Sequence, residues 1–355
     1  MSGILIKNGV VWDGENYLNA DVLTEDNKIS KIQNCIDENS DYVYDASGQF
    51  VLPGLVDIHT HFKGISSDNI GISASMSSIP FGVTCAADAG AIIGQSDIFN
   101  NLDVKTLVFV CAEIKNNKAY FENTERLLGI YGSKAIGVKV YFDKCSPDVH
   151  DISPLKEVVE FSSKHKLIVM VHSTNSPSSM AEIVNCLRPD DILTHAYHGG
   201  VNTVMEDDFA CLIEAKKRGV IVDAGFAGHI HTDFNVLKIA IEKGVIPDVI
   251  STDITKLSAY KRGGNYGMTM CMSMAKTLGM KENDIFKSVT SSAAKALYMD
   301  SQWGYLKEGR CADVSVFEYG DEAYSLYDKA GNVLNDKNGY RCVLTVSNGE
   351  IVYKR

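Results

Sequence analysis

Four histidines, one lysine and one aspartate in this chain have the side chains that hold metal ions. Two of the histidines stand one residue apart in PGLVDIHTHF, residues 53–62. Along a β-strand, residues i and i+2 face the same side. His59 and His61 therefore project together, while Ile58 and Thr60 turn away. Such a pair costs stability if it is buried without hydrogen bonds or a metal. The same reasoning singles out Lys139 in GVKVY, His172 in VMVHS, His195 in ILTHAY and Asp253 in ISTDI, each near the end of a short apolar run. Singly, each has an ordinary explanation: a surface lysine, a core histidine, a helix cap. Jointly, six groups able to bind metal recur at equivalent places.

The elements that must position them alternate along the chain. Strand candidates are 55–62, 82–89, 106–114, 135–142, 167–173, 191–197, 220–225 and 248–254. Most are continuous apolar runs, as expected of parallel strands buried on both faces. Helix signals fill the gaps. SPLKEVVEFSSKHK (153–166) opens with a serine cap and a proline, and spaces Leu155, Val158, Val159 and Ser162 on one face. DDFACLIEAKKRG (207–219) and DFNVLKIAIEKG (233–244) run from acids to bases and end in glycine. Eight strands with their crossovers predict an α/β fold, a (β/α)8 TIM barrel over 53–302, whose active site lies at the C-terminal strand ends.

The two ends of the chain read differently. Residues 1–52 and 303–355 carry short strands and Asn-Gly turns, one of them a hairpin turning at Asn348-Gly349. Together they predict a small β-sandwich domain built from both termini. The polar stretch 320–340 reads as a long hairpin loop.

Composition bounds the partners. With 355 residues, 45% hydrophobic and 22% charged, the chain has the profile of a soluble globular protein. A net charge of −11 without basic blocks argues against nucleic acid or an anionic membrane as partner. The N-terminal segment does not read as a secretory signal, and no apolar run approaches membrane-spanning length. Nine scattered cysteines without a CxxC pair favour a reducing cytoplasm.

The motif set PGLVDIHTHF, GVTCAADAG, GVKVY, VMVHS, ILTHAYHG, ISTDI, SVTSSAAKAL and GYLKEGRCADVSVF resembles the amidohydrolase superfamily, in the subtype with two divalent metals and a carboxylated lysine. LRPDDILTHAYHGG and GVIPDVISTDI look most like its dihydroorotase-like, deacetylase-like and adenine-deaminase-like branch. The resemblance implies that His59, His61 and Asp253 hold the more buried metal, His172 and His195 the more exposed one, and that Lys139, carrying a carbamate derived from carbon dioxide, bridges both. Nitrogen and oxygen donors without thiolate suit two zinc ions, with manganese, iron or cobalt as substitutes. Such a pair, about 3.5–4 Å apart, generates hydroxide near neutral pH and polarises a carbonyl. Asp253 then serves as the catalytic proton carrier.

The resemblance implies a hydrolase of non-peptide carbon–nitrogen bonds acting on the amide, such as an N-acetyl or other N-acyl group, of a small polar metabolite. The open alternatives are a cyclic amidohydrolase of dihydroorotase or hydantoinase type, then adenine deamination or ester hydrolysis, then a non-catalytic binding relative. Adenosine deaminases carry a strand-5 HAE motif, and VHSTNS lacks its glutamate. Dihydroorotases typically place a carboxylate-gripping arginine two residues after the second histidine; here that position is Lys63, which cannot offer the bidentate fork. Further substrate-facing candidates are Tyr141, His198, Arg262 and Tyr266. A second HxH, His229 and His231 in GFAGHIHTDF, lies past a strand end and before a helix, and reads as a substrate-facing loop rather than a rival metal pair. Proteins of this kind commonly self-associate, so a homo-oligomer is compatible with the resemblance.

Overall fold

A computed structural model describes residues 3–101, 103–144, 146–228, 230–261 and 266–355. Its centre is a parallel sheet of seven strands: Leu55–Thr60 (β1), Val83–Ala91 (β2), Lys105–Cys111 (β3), Ala135–Tyr141 (β4), Ile168–His172 (β5), Ile192–Thr194 (β6) and Ile221–Asp223 (β7). Spatial order follows chain order from β1 to β7, and every pairing is parallel. All residues of β1 and β2 are buried, which is why these runs are apolar throughout rather than alternating.

The eighth expected strand, 248–254, is not a regular strand. It makes isolated parallel bridges, Asp223↔Val249 on the β7 side and Thr60↔Ile254 on the β1 side. Asp253 donates its N–H to His59 O at 2.8 Å, and His61 donates to Ile254 O at 3.2 Å. Asp253 has φ +47°, and a left-handed residue cannot continue an extended ladder. The sixth strand is shorter than 191–197 for the same reason: His195 has φ +60° and turns the chain away after Thr194.

The three expected helices form as Ser153–His165 (α1), Ala210–Lys217 (α2) and Phe234–Glu242 (α3). In α1 the serine is the first helical residue, Ile152 precedes it without a side-chain cap, and the chain leaves through left-handed Lys166. Its buried face holds Leu155, Val158, Phe161 and Ser162, with Val159 only partly buried. In α3, Asp233 caps the N-terminus, accepting from Asn235 N and Val236 N at 2.9 and 3.2 Å. None of the described helices is long and apolar enough to cross a membrane.

Strands from both termini share one six-stranded sheet. Val10–Trp12, Tyr17–Asn19 and Phe50–Pro53 join Val314–Tyr327 (β8), Val333–Ser347 (β9) and Glu350–Lys354. Beside it lies a four-stranded sheet of Gly3–Lys7, Asp21–Glu25, Lys28–Gln33 and Tyr42–Asp45. Ile4, Ile6, Val22, Val51, Val314, Val316 and Leu344 fill one core between them. Asn348 and Gly349, at φ +51° and +81°, turn the last hairpin as their sequence demands.

The stretch 320–340 is a correction. It is not loop but the outer half of the β8–β9 hairpin, with its turn confined to 328–332. Glu322, Tyr324 and Leu326 alternate inward against exposed Asp321, Ala323, Ser325 and Tyr327. Tyr324 Oη donates to Ser273 O at 3.1 Å, and Tyr340 N to Ser273 Oγ at 2.8 Å, fastening the hairpin to helix Met268–Thr277.

Candidate metal centre

Strand ends bring the first donor group together. His59 and His61, on and just beyond β1, both turn their Nε2 toward Asp253 Oδ1, at 3.3 and 3.0 Å. Their other ring nitrogens fix the tautomer. His59 Nδ1 lies 3.0 Å from Thr194 Oγ1, whose own proton goes to Asp223 Oδ2 at 2.7 Å. His61 Nδ1 lies 3.0 Å from Ser66 Oγ, which donates to Asp88 Oδ1 at 3.0 Å. With both hydroxyl protons committed to carboxylates, each imidazole donates from Nδ1 and keeps its lone pair on Nε2. Two lone pairs thus face a carboxylate oxygen at hydrogen-bond distance. Acceptor against acceptor repels unless a cation sits among them, so this donor set fits a metal ion.

The second group is His172 at the end of β5, His195 just past β6, and His231 in the loop before α3. Their ligand atoms lie within 4.8 Å of one another, as do those of His59, His61 and Asp253. His195 Nδ1 donates to Gly225 O at 2.7 Å, which again leaves Nε2 as the open donor. The His195 and His231 rings stack with centroids 3.9 Å apart, and His172 meets His231 edge-on at 4.9 Å. Asp253 Oδ2 joins the groups, 3.8 Å from His195 Nε2 and 3.4 Å from His231 Nε2. Among the described residues buried His231 Nδ1 has no hydrogen-bond partner, and buried His172 Nε2 has Asp143 Oδ2 3.6 Å away.

Lys139, on β4, is fully buried and sets Nζ 3.0 Å from His59 Nε2. Burial pushes its ammonium down to about 8, against the opposing pull of Asp253 and Asp223. Burial also lowers the histidines: His59 to about 4, helped by Lys139, and His172 to about 3, with His195 well below its usual value. Burial alone would raise the Asp253 carboxyl; His59, His231 and His61 around it hold it well below the usual range. Neutral imidazoles, an ionised carboxylate and an easily deprotonated amine are the forms in which these groups bind cations.

The remaining candidates fall out unequally. His198 is fully buried, with both ring nitrogens unpartnered among the described residues, and burial followed by the Lys329 charge lowers it to about 4. Tyr141 stands beside His172, ring centroids 6.0 Å apart, and its ring lies 5.6 Å from Lys139 Nζ. Tyr266 is buried and spends its hydroxyl on Thr252 O at 2.9 Å, next to Asp253. Lys63 is exposed, and its backbone N–H donates to Ile72 O at 2.8 Å. Arg262 and His229 lie outside the described residues. His231, read from the sequence as part of a substrate-facing loop, stands beside His172, His195 and Asp253.

Sequence reasoning passed over the carboxylates beneath the centre. Asp88 and Asp223 orient the first two histidines through Ser66 and Thr194, and Asp57 accepts from His59 N at 3.2 Å and Thr252 N at 3.1 Å. Burial raises Asp57 to about 7 and raises Asp88 as well. The signal was present: an aspartate inside VDIH, AADAG or IVDAG is a charge in an apolar strand and must have a partner.

Residues 144–352 match the amidohydrolase family profile. A deacetylase of Enterococcus faecalis is 25% identical, covering 98% of both chains. A deacetylase of Agrobacterium fabrum is 26% identical over 90% of this chain and 83% of its own. A dihydroorotase of Clostridioides difficile is 38% identical over 29% of this chain and 26% of its own. Among solved structures, an adenine deaminase superposes with TM-score 0.86 at 21% identity over the whole of both chains, which speaks for the fold alone.

Proposed function

The chain belongs to the amidohydrolase family and is a hydrolase of carbon–nitrogen bonds; on that premise we propose that it removes an N-acetyl or related N-acyl group from a small polar metabolite. The carrying observation is the convergence of the two histidine groups on Asp253 beside buried Lys139. Relatives named deacetylases align along nearly the whole chain, whereas the dihydroorotase match spans less than a third of it. Exposed Lys63 also makes a poor carboxylate grip for a ring substrate.

The fold reading that accompanies this is a (β/α)8 barrel over 53–302, with segment 248–254 as its eighth staves-and-seam element, and a β-sandwich of 1–52 and 303–355. The protein is assigned to the cytoplasm from its scattered thiols.

His59, His61 and Asp253 would hold one divalent ion, zinc first among the candidates, and His172 and His195 a second. Lys139 Nζ, released from its proton, would take up carbon dioxide as a carbamate and supply both ions with anionic oxygens. Bound there, the pair supplies a water nucleophile near neutral pH and polarises the scissile carbonyl. The chain's own groups do the rest. Asp253 takes the proton as water adds to the carbonyl carbon and passes it to the leaving nitrogen as the C–N bond breaks, giving a carboxylic acid and an amine. Asp223 keeps His59 and Asp88 keeps His61 in one tautomer throughout, and Tyr266 steadies the backbone next to Asp253.

The test is one panel of N-acetyl amino acids, acetylated amino sugars, acetyl esters and cyclic ureides, assayed on zinc-loaded protein with Asp253→Asn as control. Turnover of acyclic amides, absent in the control, is expected. Ring opening alone would replace the deacylase reading with a cyclic amidohydrolase.

A further inference from the structure

We infer that His231 is a third imidazole ligand of the second metal position, held there by the tip of the β8–β9 hairpin. The inference rests on the two-ion reading above and adds a donor that it does not include.

Three observations carry it. His231 Nε2 lies 3.4 Å from Asp253 Oδ2, the carboxylate shared by both groups. Its ring stacks on His195 at 3.9 Å and meets His172 at 4.9 Å, so three imidazoles surround one point. Its side chain is only 12% exposed, and Nδ1 has no partner among the described residues, an expense that a mere wall residue would not incur. With a Lys139 carbamate oxygen, His172 and His195 would give the second ion three protein donors, and His231 is placed to add a fourth. Nitrogen and oxygen donors of this kind suit zinc, which can expand to five-coordinate to admit a water or substrate atom.

The loop bearing His231 is fastened from both sides. On the inner side Thr232 bridges to His198, and Asp233 N donates to Tyr197 O at 3.1 Å. On the outer side the hairpin tip grips it: Lys329 N donates to Thr232 O at 3.0 Å, and buried Asp328 Oδ2 accepts from Phe234 N at 2.9 Å. Asp328 is kept in place by Asn332, whose N and Nδ2 donate to it at 2.7 and 2.8 Å. Lys329 Nζ reaches on to Asn175 Oδ1 at 3.3 Å, in the loop after His172. Asp328 is accordingly a positioning residue: it touches no donor atom but sets the loop that presents one.

The test strips the full-length protein of metal and titrates it with cobalt in the presence of bicarbonate, reading stoichiometry, chelator competition and the visible spectrum. Wild type should bind two ions. His231→Ala should keep the first and hold the second at least about tenfold more weakly, with an altered cobalt spectrum. Asp328→Ala should speed release of the second ion several-fold and leave the first unchanged, a selectivity that general loosening would not produce. Two ions bound with unaltered affinity and spectrum in His231→Ala overturn the assignment of His231 alone. A wild-type stoichiometry of one overturns the two-ion reading and His231 with it. Should His231→Ala fail to fold, diffraction from zinc-loaded wild-type crystals decides the matter. A His231 nitrogen about 2.0–2.1 Å from the second zinc supports ligation, and one beyond about 3 Å removes it. None of these readouts depends on which acyl compound is hydrolysed.

Discussion

The two donor groups that meet at Asp253 are built by different means. His59 stands on a regular, fully buried strand and His61 just beyond its end, and each is oriented through a hydroxyl to a buried carboxylate. His172, His195 and His231 hang on strand ends and a loop, one of them at a positive φ, with His231 Nδ1 left without a hydrogen-bond partner among the described residues. Donors locked by two-step relays need little reorganisation to bind an ion; donors on loops must be held by whatever packs above them. The first group is thus fixed within the parallel sheet and its immediate strand ends. The second depends on tertiary contacts that reach as far as the tip of the β8–β9 hairpin.

The largest effects should fall where both groups share a residue. Asp253→Asn keeps the shape but not the charge, so it should retain metal in part while kcat drops by about two to four orders of magnitude. Lys139→Ala should lose metal altogether, with partial recovery of turnover on adding short carboxylic acids that fill the gap. Metal analysis and steady-state kinetics check both. Near-normal kcat in Asp253→Asn would remove that residue from the proton path and leave the centre without its common member.

The relays come next. Asp223→Ala and Asp88→Ala should each weaken the first ion by about 10–100-fold and the second far less, because Thr194 and Ser66 then lose the acceptors that dictate the His59 and His61 tautomers. Equal weakening of both ions would mean that the aspartates act through stability rather than orientation. A competing chelator in excess should likewise strip the two ions in two phases, the loop-held one first; a single phase would erase the distinction between the groups.

The same contrast explains what could be read from the sequence. Seven strands and their order follow from apolar runs, because burial on both faces leaves a direct trace in composition. His59 and His61 are legible because a period of two puts them on one side. Asp253 is legible as a donor, but its left-handed backbone hides the fact that its segment is not a regular strand. His231 is not legible as a member of the centre, since the hairpin tip that fixes its loop lies 94 residues away between Phe234 and Asp328. The hairpin itself is masked by polar residues that alternate over a helix rather than over an apolar core.

Lys63 provides the smallest expected effect and a useful control on the comparison. It follows the legible pair directly, and sequence alone makes it the natural anchor for an acidic substrate. Yet its side chain is exposed, and it is its backbone that is tied down, the N–H to Ile72 O. Exposed side chains outside a site contribute within about 0.5 kcal/mol, so Lys63→Ala should change kcat/KM on N-acetyl amino acids by no more than about twofold. The measurement is a paired one, the free acid against its neutral carboxamide at low ionic strength, where a remote charge would still register. A tenfold loss confined to the acid would move the substrate's charged end to the β1 side. An equal and minor change on both leaves that end to the residues above the second group, where Lys329, His198 and Asn175 already gather.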